Sequence, residues 1–294
     1  MPETLETPEG TATPLPTAAP GVLLYPEAFE WIVDRLRGSI ARLAADEPFQ
    51  RLAVPPVIAR RTIERTGYAA SFPNLLGTVH GYTGDARRWA ALAPLVEEGG
   101  EWHADQHISD LVLLPAVCYP VYESLAGQHL AGPAKYLVEG RCFRHEVTSE
   151  TGRLRSFRVI DMVTAGDPEH CAGWRDRRLE QAADWLASFA LKVSVEEADD
   201  PFFGNGRKVY QAAQRAQQLK YELRVPVDGD LVQAVGSANL HKDHFGSAFE
   251  FTSGAEPAHT SCIGFGLERI ALALINAHGP RPAAWPAPVL AALA

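Results

Sequence analysis

Arg144 and Glu146 stand two residues apart in Gly140-Arg-Cys-Phe-Arg-His-Glu146, and Gly152-Arg-Leu-Arg-Ser-Phe-Arg158 follows a few residues later. On a strand, residues i and i+2 face the same side, so a strand over 136–146 presents this guanidinium and carboxylate together. A guanidinium fork can grip a phosphate through two hydrogen bonds and offset the charge that builds as a nucleophile attacks phosphorus. The carboxylate beside it can accept from an adenine amino group, Phe157 can stack on the base, and Arg153 in the turn is a further candidate phosphate contact. Arg269 opens a helix behind Gly264 and Gly266, where backbone N–H groups point outward and favour an anion. Each element alone has a plainer reading: an Arg-X-Glu pair is usually a surface ion pair, and a glycine before a helix is usually a turn. In this order they fit one task, holding a bent ATP while a carboxylate attacks its α-phosphorus.

Such residues need elements to position them. Phe29, Ile32, Val33, Leu36, Ile40 and Leu43 recur at helical spacing and predict a helix over 27–45. A short strand at 50–54 must end at Pro55-Pro56. A helix is expected at 57–67, a turn at Phe72-Pro73-Asn74, and a buried strand within 110–118 that Pro115 interrupts. Strands over 136–146 and 155–164 pair antiparallel across the polar turn 147–154. A patterned helix follows at 173–191, a polar Gln-rich helix at 207–220, strands at 221–227, 230–237 and 247–252, and a last helix from Gly266 to about Ala277. Strands outnumber short helices without β-α alternation, so the fold class is α+β, an antiparallel β-sheet flanked by helices. Residues 1–22 read as a disordered leader, 23–282 as one catalytic domain and 283–294 as a Pro/Ala-rich tail.

At 294 residues and 46% hydrophobic, the chain can bury a large core. It has no run near the roughly 20 apolar residues of a membrane span and no signal-peptide pattern at its start. Four cysteines are too few for a disulfide scaffold in a chain this long, which points to the cytoplasm. A net charge of −9, with no basic tail, argues against a large nucleic-acid footprint.

The segment 140–158 resembles motif 2 of the class II aminoacyl-tRNA synthetases, and Gly264–Arg269 resembles their motif 3. The first helix with the strand ending at Pro55-Pro56 resembles motif 1, the dimer element. Within class II, the chain is most similar to seryl-tRNA synthetase-like proteins. It is closer still to their truncated bacterial homologues, the amino acid:[carrier protein] ligases, as in Asp200-Pro-Phe-Phe-Gly204, Leu219-Lys-Tyr-Glu222 and Asn239 to Gly246. The resemblance covers about residues 25–280.

It implies that ATP and a small amino acid, glycine or alanine, form an aminoacyl-adenylate. The aminoacyl group then passes to the phosphopantetheine thiol of a carrier protein. Arg144 would hold the α-phosphate, Arg269 the β- and γ-phosphates, and Glu146 the adenine. Ala116, Ser237 and Asn239 would line the amino-acid site. In these relatives a pocket zinc is held by Cys, Glu and Cys, which fall here on Cys118, Asp161 and Cys262, with Asp in place of Glu. Zinc accepts both donor types, and three protein ligands leave a fourth position open for the substrate amine. Cys142 and Cys171 read as buried core residues, and His241 and His244 as pocket floor rather than a second metal site. Gln233 stands where a Glu would help bind the Mg2+ of ATP, with Glu250 as a possible substitute. The helix at 207–220, carrying Arg207, Lys208 and Arg215, falls where these ligases dock their carrier. No helical tRNA-binding arm precedes the first helix, so tRNA is not the expected acceptor, and a homodimer is expected. The alternatives are a synthetase that charges tRNA without an arm, or a catalytically idle regulatory paralogue.

Overall fold

The computed structural model describes residues 7–146, 148–204 and 207–294, without the side chains of Arg207, Val209, Tyr210 and Ala213. The chain begins with α1 (Glu27–Leu43), β1 (Gln50–Ala53), β2 (Val57–Ala59), α2 (Arg60–Thr66), β3 (Thr78–Tyr82), α3 (Ala86–Glu97) and β4 (Gln106–Leu113). Then come α4 (Tyr119–Ser124), β5 (Ala134–Phe143), β6 (Ser156–Gly166), α5 (Pro168–Ala187), β7 (Ser194–Glu197) and α6 (Arg207–Ala216). The last elements are β8 (Lys220–Asp228), β9 (Leu231–Lys242), α7 (His244–Phe249), β10 (His259–Gly266), α8 (Leu267–His278) and α9 (Ala287–Leu293).

Seven strands form one sheet in the order β7-β8-β9-β10-β6-β5-β1, antiparallel throughout except the parallel β1–β5 edge pair. A second sheet has the order β2-β4-β3. One face of the large sheet is covered by α1, α5, α8 and α9, which bury Ile160, Met162, Leu223, Val225, Ile263 and Phe265. From α1, Phe29, Ile32, Val33, Leu36 and Ile40 are fully buried there, each worth about 1.5–3 kcal/mol of apolar transfer. On the other face Cys118, Val138, Cys142, Val163 and Cys262 share a core with Tyr122, Phe245 and Phe249. A large cavity opens on that face.

Several expectations need correction. Residues 247–252 are not a strand: α7 buries Phe245 and Phe249, four apart, on one side. A run this short carries no decisive period. The expected helix 57–67 opens instead as β2, paired with β4, before α2 begins. Helix α5 starts five residues earlier than 173, because Asp167 caps His170 N–H at 2.8 Å and Pro168 fills the first turn. The closing segment is no loose tail, since α9 buries Val289 and Leu293 against the α1 side. Nor does the described part of the leader stand apart. Leu15–Pro16 pairs with Leu23–Leu24, Ala12 is buried with its N–H on Pro280 O (2.7 Å), and Gly21 O accepts from Arg155 N (2.8 Å). Among the described residues no helix is long and apolar enough to cross a membrane.

Candidate active site

A cavity of about 700 Å³ lies over β6, β8, β9 and β10, walled by α2, α4, α7 and the turn after β5. Strand alternation fills its floor. Phe157, Val159 and Asp161 project from β6, Cys262 and Gly264 from β10, Ser237 and Asn239 from β9, and Lys220 and Glu222 from β8. Of the candidate residues, Ala116, Cys118, Arg144, Glu146, Arg153, Phe157, Asp161, Ser237, Asn239, Cys262 and Arg269 all line this one space.

One end is dry. Cys118 precedes α4, and Asp161 and Cys262 stand on neighbouring strands two register pairs apart and so on the same face, which brings the three sets of ligand atoms within 4.8 Å of one another. All three are buried. Gly264 faces Asp161 across the strand pair, and a Cβ there would lie 2.3 Å from Asp161 Oδ1. Only glycine leaves the carboxylate its place. Burial pushes the Asp161 carboxyl well above the usual range, reinforced by Cys262. The Cys118 thiol is raised by its hydrogen bond to Cys262 and by burial. That same bond pulls Cys262 down, with help from His241 and from Asn239 Nδ2, which donates to its sulfur at 3.5 Å. A buried set of two thiols and a carboxylate is costly without a compensating cation, and its donors match a divalent metal with one position left open. His241 Nε2 is 3.8 Å from Cys262 Sγ, while His244 Nε2 turns to Thr66 O at 3.0 Å, so the two histidines do not converge.

The other end is wetter and is held by carbonyls. Arg144 and Glu146 do not lie on a strand: β5 stops at Phe143, whose N–H pairs with Leu114 O (2.9 Å), and His145 N–H then turns to Leu75 O (3.0 Å). Arg144 N–H still reaches Arg155 O at 2.9 Å, which keeps the arginine at the sheet edge. Its guanidinium donates to Pro115 O and to Phe143 O (3.0 Å), with its carbon 5.8 Å from the Phe157 ring centre. Glu146 is 3.7 Å from Arg153, which also bonds Glu150 at 3.1 Å. Arg269 donates from Nε to Gly152 O and from Nη1 to Ala234 O, both at 2.9 Å. Burial, aided by Arg153, lowers its pKa to about 10. Gly264 lies within β10 rather than at the helix start, where Gly266 stands as the cap residue of α8.

Gln233 is buried beneath Gly152, whose Cβ would stand 2.4 Å from the amide oxygen, and it does not line the cavity. Glu250 is exposed at the end of α7, also outside the cavity. Glu222 does reach the space, beside Lys220, whose Nζ bonds Asp200 Oδ1 at 2.6 Å. Their alternation on β8 was the available signal. On α6, Lys208 is exposed and Arg215 pairs with Asp199, while the Arg207 side chain lies outside the described residues. Neither Lys208 nor Arg215 lines the cavity.

No protein-family model matches the chain. Among characterised proteins it is 38% identical over 275 residues to amino acid–[acyl-carrier-protein] ligase 1 of Bradyrhizobium diazoefficiens, covering 92% of this chain and 83% of that one. Ligase 2 of the same organism is 36% identical, with coverage of 91% and 81%. The type-2 serine–tRNA ligase of Methanopyrus kandleri is 29% identical over 61% of this chain and 37% of its own length. In three dimensions the chain matches M. kandleri seryl-tRNA synthetase, solved with a tRNASec of A. aeolicus, with a TM-score of 0.81 at 22% identity. That match covers 95% of this chain and 58% of the other. The Pyrococcus horikoshii seryl-tRNA synthetase, solved with ATP, matches with a TM-score of 0.59 at 15% identity, over 89% and 54%. With a class II seryl-tRNA synthetase-like core and a match to both ligases over nearly its whole length, the chain belongs to the amino acid–[acyl-carrier-protein] ligase family.

Proposed function

We propose that this ligase activates a small amino acid with ATP and passes it to the phosphopantetheine thiol of a carrier protein. The observation that carries the reading is the sharing of one cavity by Arg144 and Arg269 with Cys118, Asp161 and Cys262. In the first step a carboxylate oxygen attacks the α-phosphorus of Mg2+-bound ATP, the bond to the bridging oxygen breaks, and pyrophosphate leaves. Arg144 stabilises charge on the α-phosphate, Arg269 holds the outer phosphates, Glu146 and Phe157 fix the adenine, and Arg153 closes the turn over them. The attacking carboxylate is already ionised, so no general base is required. In the second step the carrier thiol, losing its proton, attacks the acyl carbon and AMP leaves. Ala116, Ser237 and Asn239 border the amino-acid end, where Tyr119 and Phe245 crowd the wall with Tyr122 stacked behind Phe245; that supports glycine or alanine.

Zinc on Cys118, Asp161 and Cys262 would supply an open coordination position for an uncharged amine. The sequence of α6 carries Arg207, Lys208 and Arg215 on an acidic protein, and Lys208 is exposed while Arg215 pairs with Asp199, which supports docking of an acidic carrier there. Trp89, Trp102, Ile108 and Leu111 are exposed around the small sheet, which supports a homodimer. Four unpaired cysteines favour a reducing cytoplasm.

Amino-acid-dependent pyrophosphate exchange, screened across the proteinogenic amino acids with metal assayed in the same preparation, tests the first step. Exchange with none of them would sink the adenylation reading and leave the idle paralogue. For the second step, labelled amino acid is offered holo-carrier, apo-carrier and total tRNA. A thioester on the holo form alone is expected, and charging of tRNA would favour the arm-less synthetase. Charge reversal at Lys208 should raise the carrier KM several-fold and leave exchange untouched.

A further inference from the structure

We infer that Arg158 and Glu268 are positioning residues that lock the adenine-stacking strand to the triphosphate-binding helix, with Glu30 of α1 as the outer anchor. This rests on the adenylation reading above. Arg158 follows Phe157 on β6 but points to the opposite face, where it is 4% exposed; Glu268, next to Arg269, is fully buried. At Gly266 strand β10 leaves the sheet to become α8, so the ladder partner for the next β6 residue is lost. The Glu268 side chain replaces it. Its Oε2 accepts from Arg158 backbone N–H at 2.7 Å and its Oε1 from Arg158 Nε at 2.8 Å.

A single carboxylate therefore fixes both the backbone and the guanidinium of the residue beside Phe157, and it is itself one residue from Arg269. The rest of the guanidinium fork reaches Glu30, with Nη1 to Oε2 at 2.5 Å and Nη2 to Oε1 at 2.9 Å. Tyr25 covers it, 5.3 Å from ring centre to guanidinium carbon. Arg144 is oriented separately, by Pro115 O and Phe143 O, and takes no part in this network. The spacing of Phe157 and Arg269 is thus set through Arg158 and Glu30 on the far side of the sheet, with Glu268 at the cavity border as the link.

Glu268→Gln keeps the shape but puts an amide N–H against an Arg158 donor. In pyrophosphate exchange it should raise the KM for ATP by about tenfold or more, with the KM for the amino acid and the bound metal unchanged. Arg158→Lys keeps the charge, loses the fork, and should give the same split; Glu30→Gln should give a smaller one. If Glu268→Gln does not fold, Glu30→Gln at the half-exposed end carries the test. An equal rise for both substrates, or a lower Tm with the ATP KM unchanged, would overturn the assignment and leave a purely fold-stabilising cluster. Calorimetric ATP affinity on the same proteins separates the two claims. Wild type that binds ATP yet exchanges no pyrophosphate refutes adenylation, while the variant-to-wild-type affinity ratio still decides positioning. Wild type that does not bind ATP overturns both.

Discussion

The two ends of the cavity are built on opposite principles. At the end holding Cys118, Asp161 and Cys262, the three donors come from a helix start and two adjacent strands, all buried, with room for Asp161 made by the missing side chain of Gly264. At the end proposed above for the nucleotide, the cations are aimed by backbone carbonyls: Pro115 and Phe143 for Arg144, Gly152 and Ala234 for Arg269. Sheet register fixes the first, and turn conformation fixes the second. A site that must discriminate a small substrate gains from rigid, dry walls. A site that must admit and release a large polyanion gains from arms held by replaceable hydrogen bonds.

This contrast can be broken or sharpened by experiment. Arg144→Ala should lower exchange by about a thousandfold with circular dichroism unchanged, because one preorganised charge stabiliser is lost while β5 and β6 keep their pairing. Near-normal exchange would remove the nucleotide end as described. Cys118→Ser should lose its metal by elemental analysis and depress exchange by at least roughly a hundredfold, while ATP affinity stays. Unchanged metal content in that variant would abolish the distinction between the two ends. Gly264→Ala forces a methyl against Asp161 and should cost about 1–3 kcal/mol in denaturant unfolding together with weaker metal retention. Full metal occupancy at unchanged stability would show that the carboxylate has slack.

The smallest effect is a pH slope in chelator-treated protein. Asp161 has a folded-state pKa raised above its unfolded value, so the folded state binds this proton more tightly. Its contribution to stability is therefore present at low pH and is lost as pH rises through the raised value. Asp161→Asn should remove that loss, giving a higher Tm than the stripped wild type at neutral pH. A lower Tm would contradict the burial argument.

Much of this was legible in the sequence because strand alternation and helical spacing are local. Arg144, Glu146, Arg153, Phe157 and Arg269 line one cavity, and α1, β5, β6 and α8 stand close to where periodicity put them. What was not legible depended on distant partners. Arg144 and Glu146 look like strand residues until Leu114 and Leu75 take the adjoining N–H groups and pull the chain into a turn. The α7 segment reads as a strand because two phenylalanines and an alanine cannot fix a period. Cys118, Asp161 and Cys262 are scattered over 145 positions (262 − 118 + 1), so spacing alone could never have joined them. Only the β6–β10 register and the start of α4 bring them together. Glu268 gave no warning either, since a charged residue in the first turn of a helix ordinarily points to water.

The peptide unit of Arg155 is shared. Its N–H is taken by Gly21 O and its C=O receives the N–H of Arg144. Gly21, near the amino terminus, is therefore two hydrogen bonds removed from Arg144 and the grip proposed for it. A nick or an affinity tag inserted between Ala12 and Tyr25 would slacken that grip without altering any residue of the cavity. Conversely, nucleotide occupancy should slow cleavage of this stretch by an added protease, so a gel band could report on what the cavity holds.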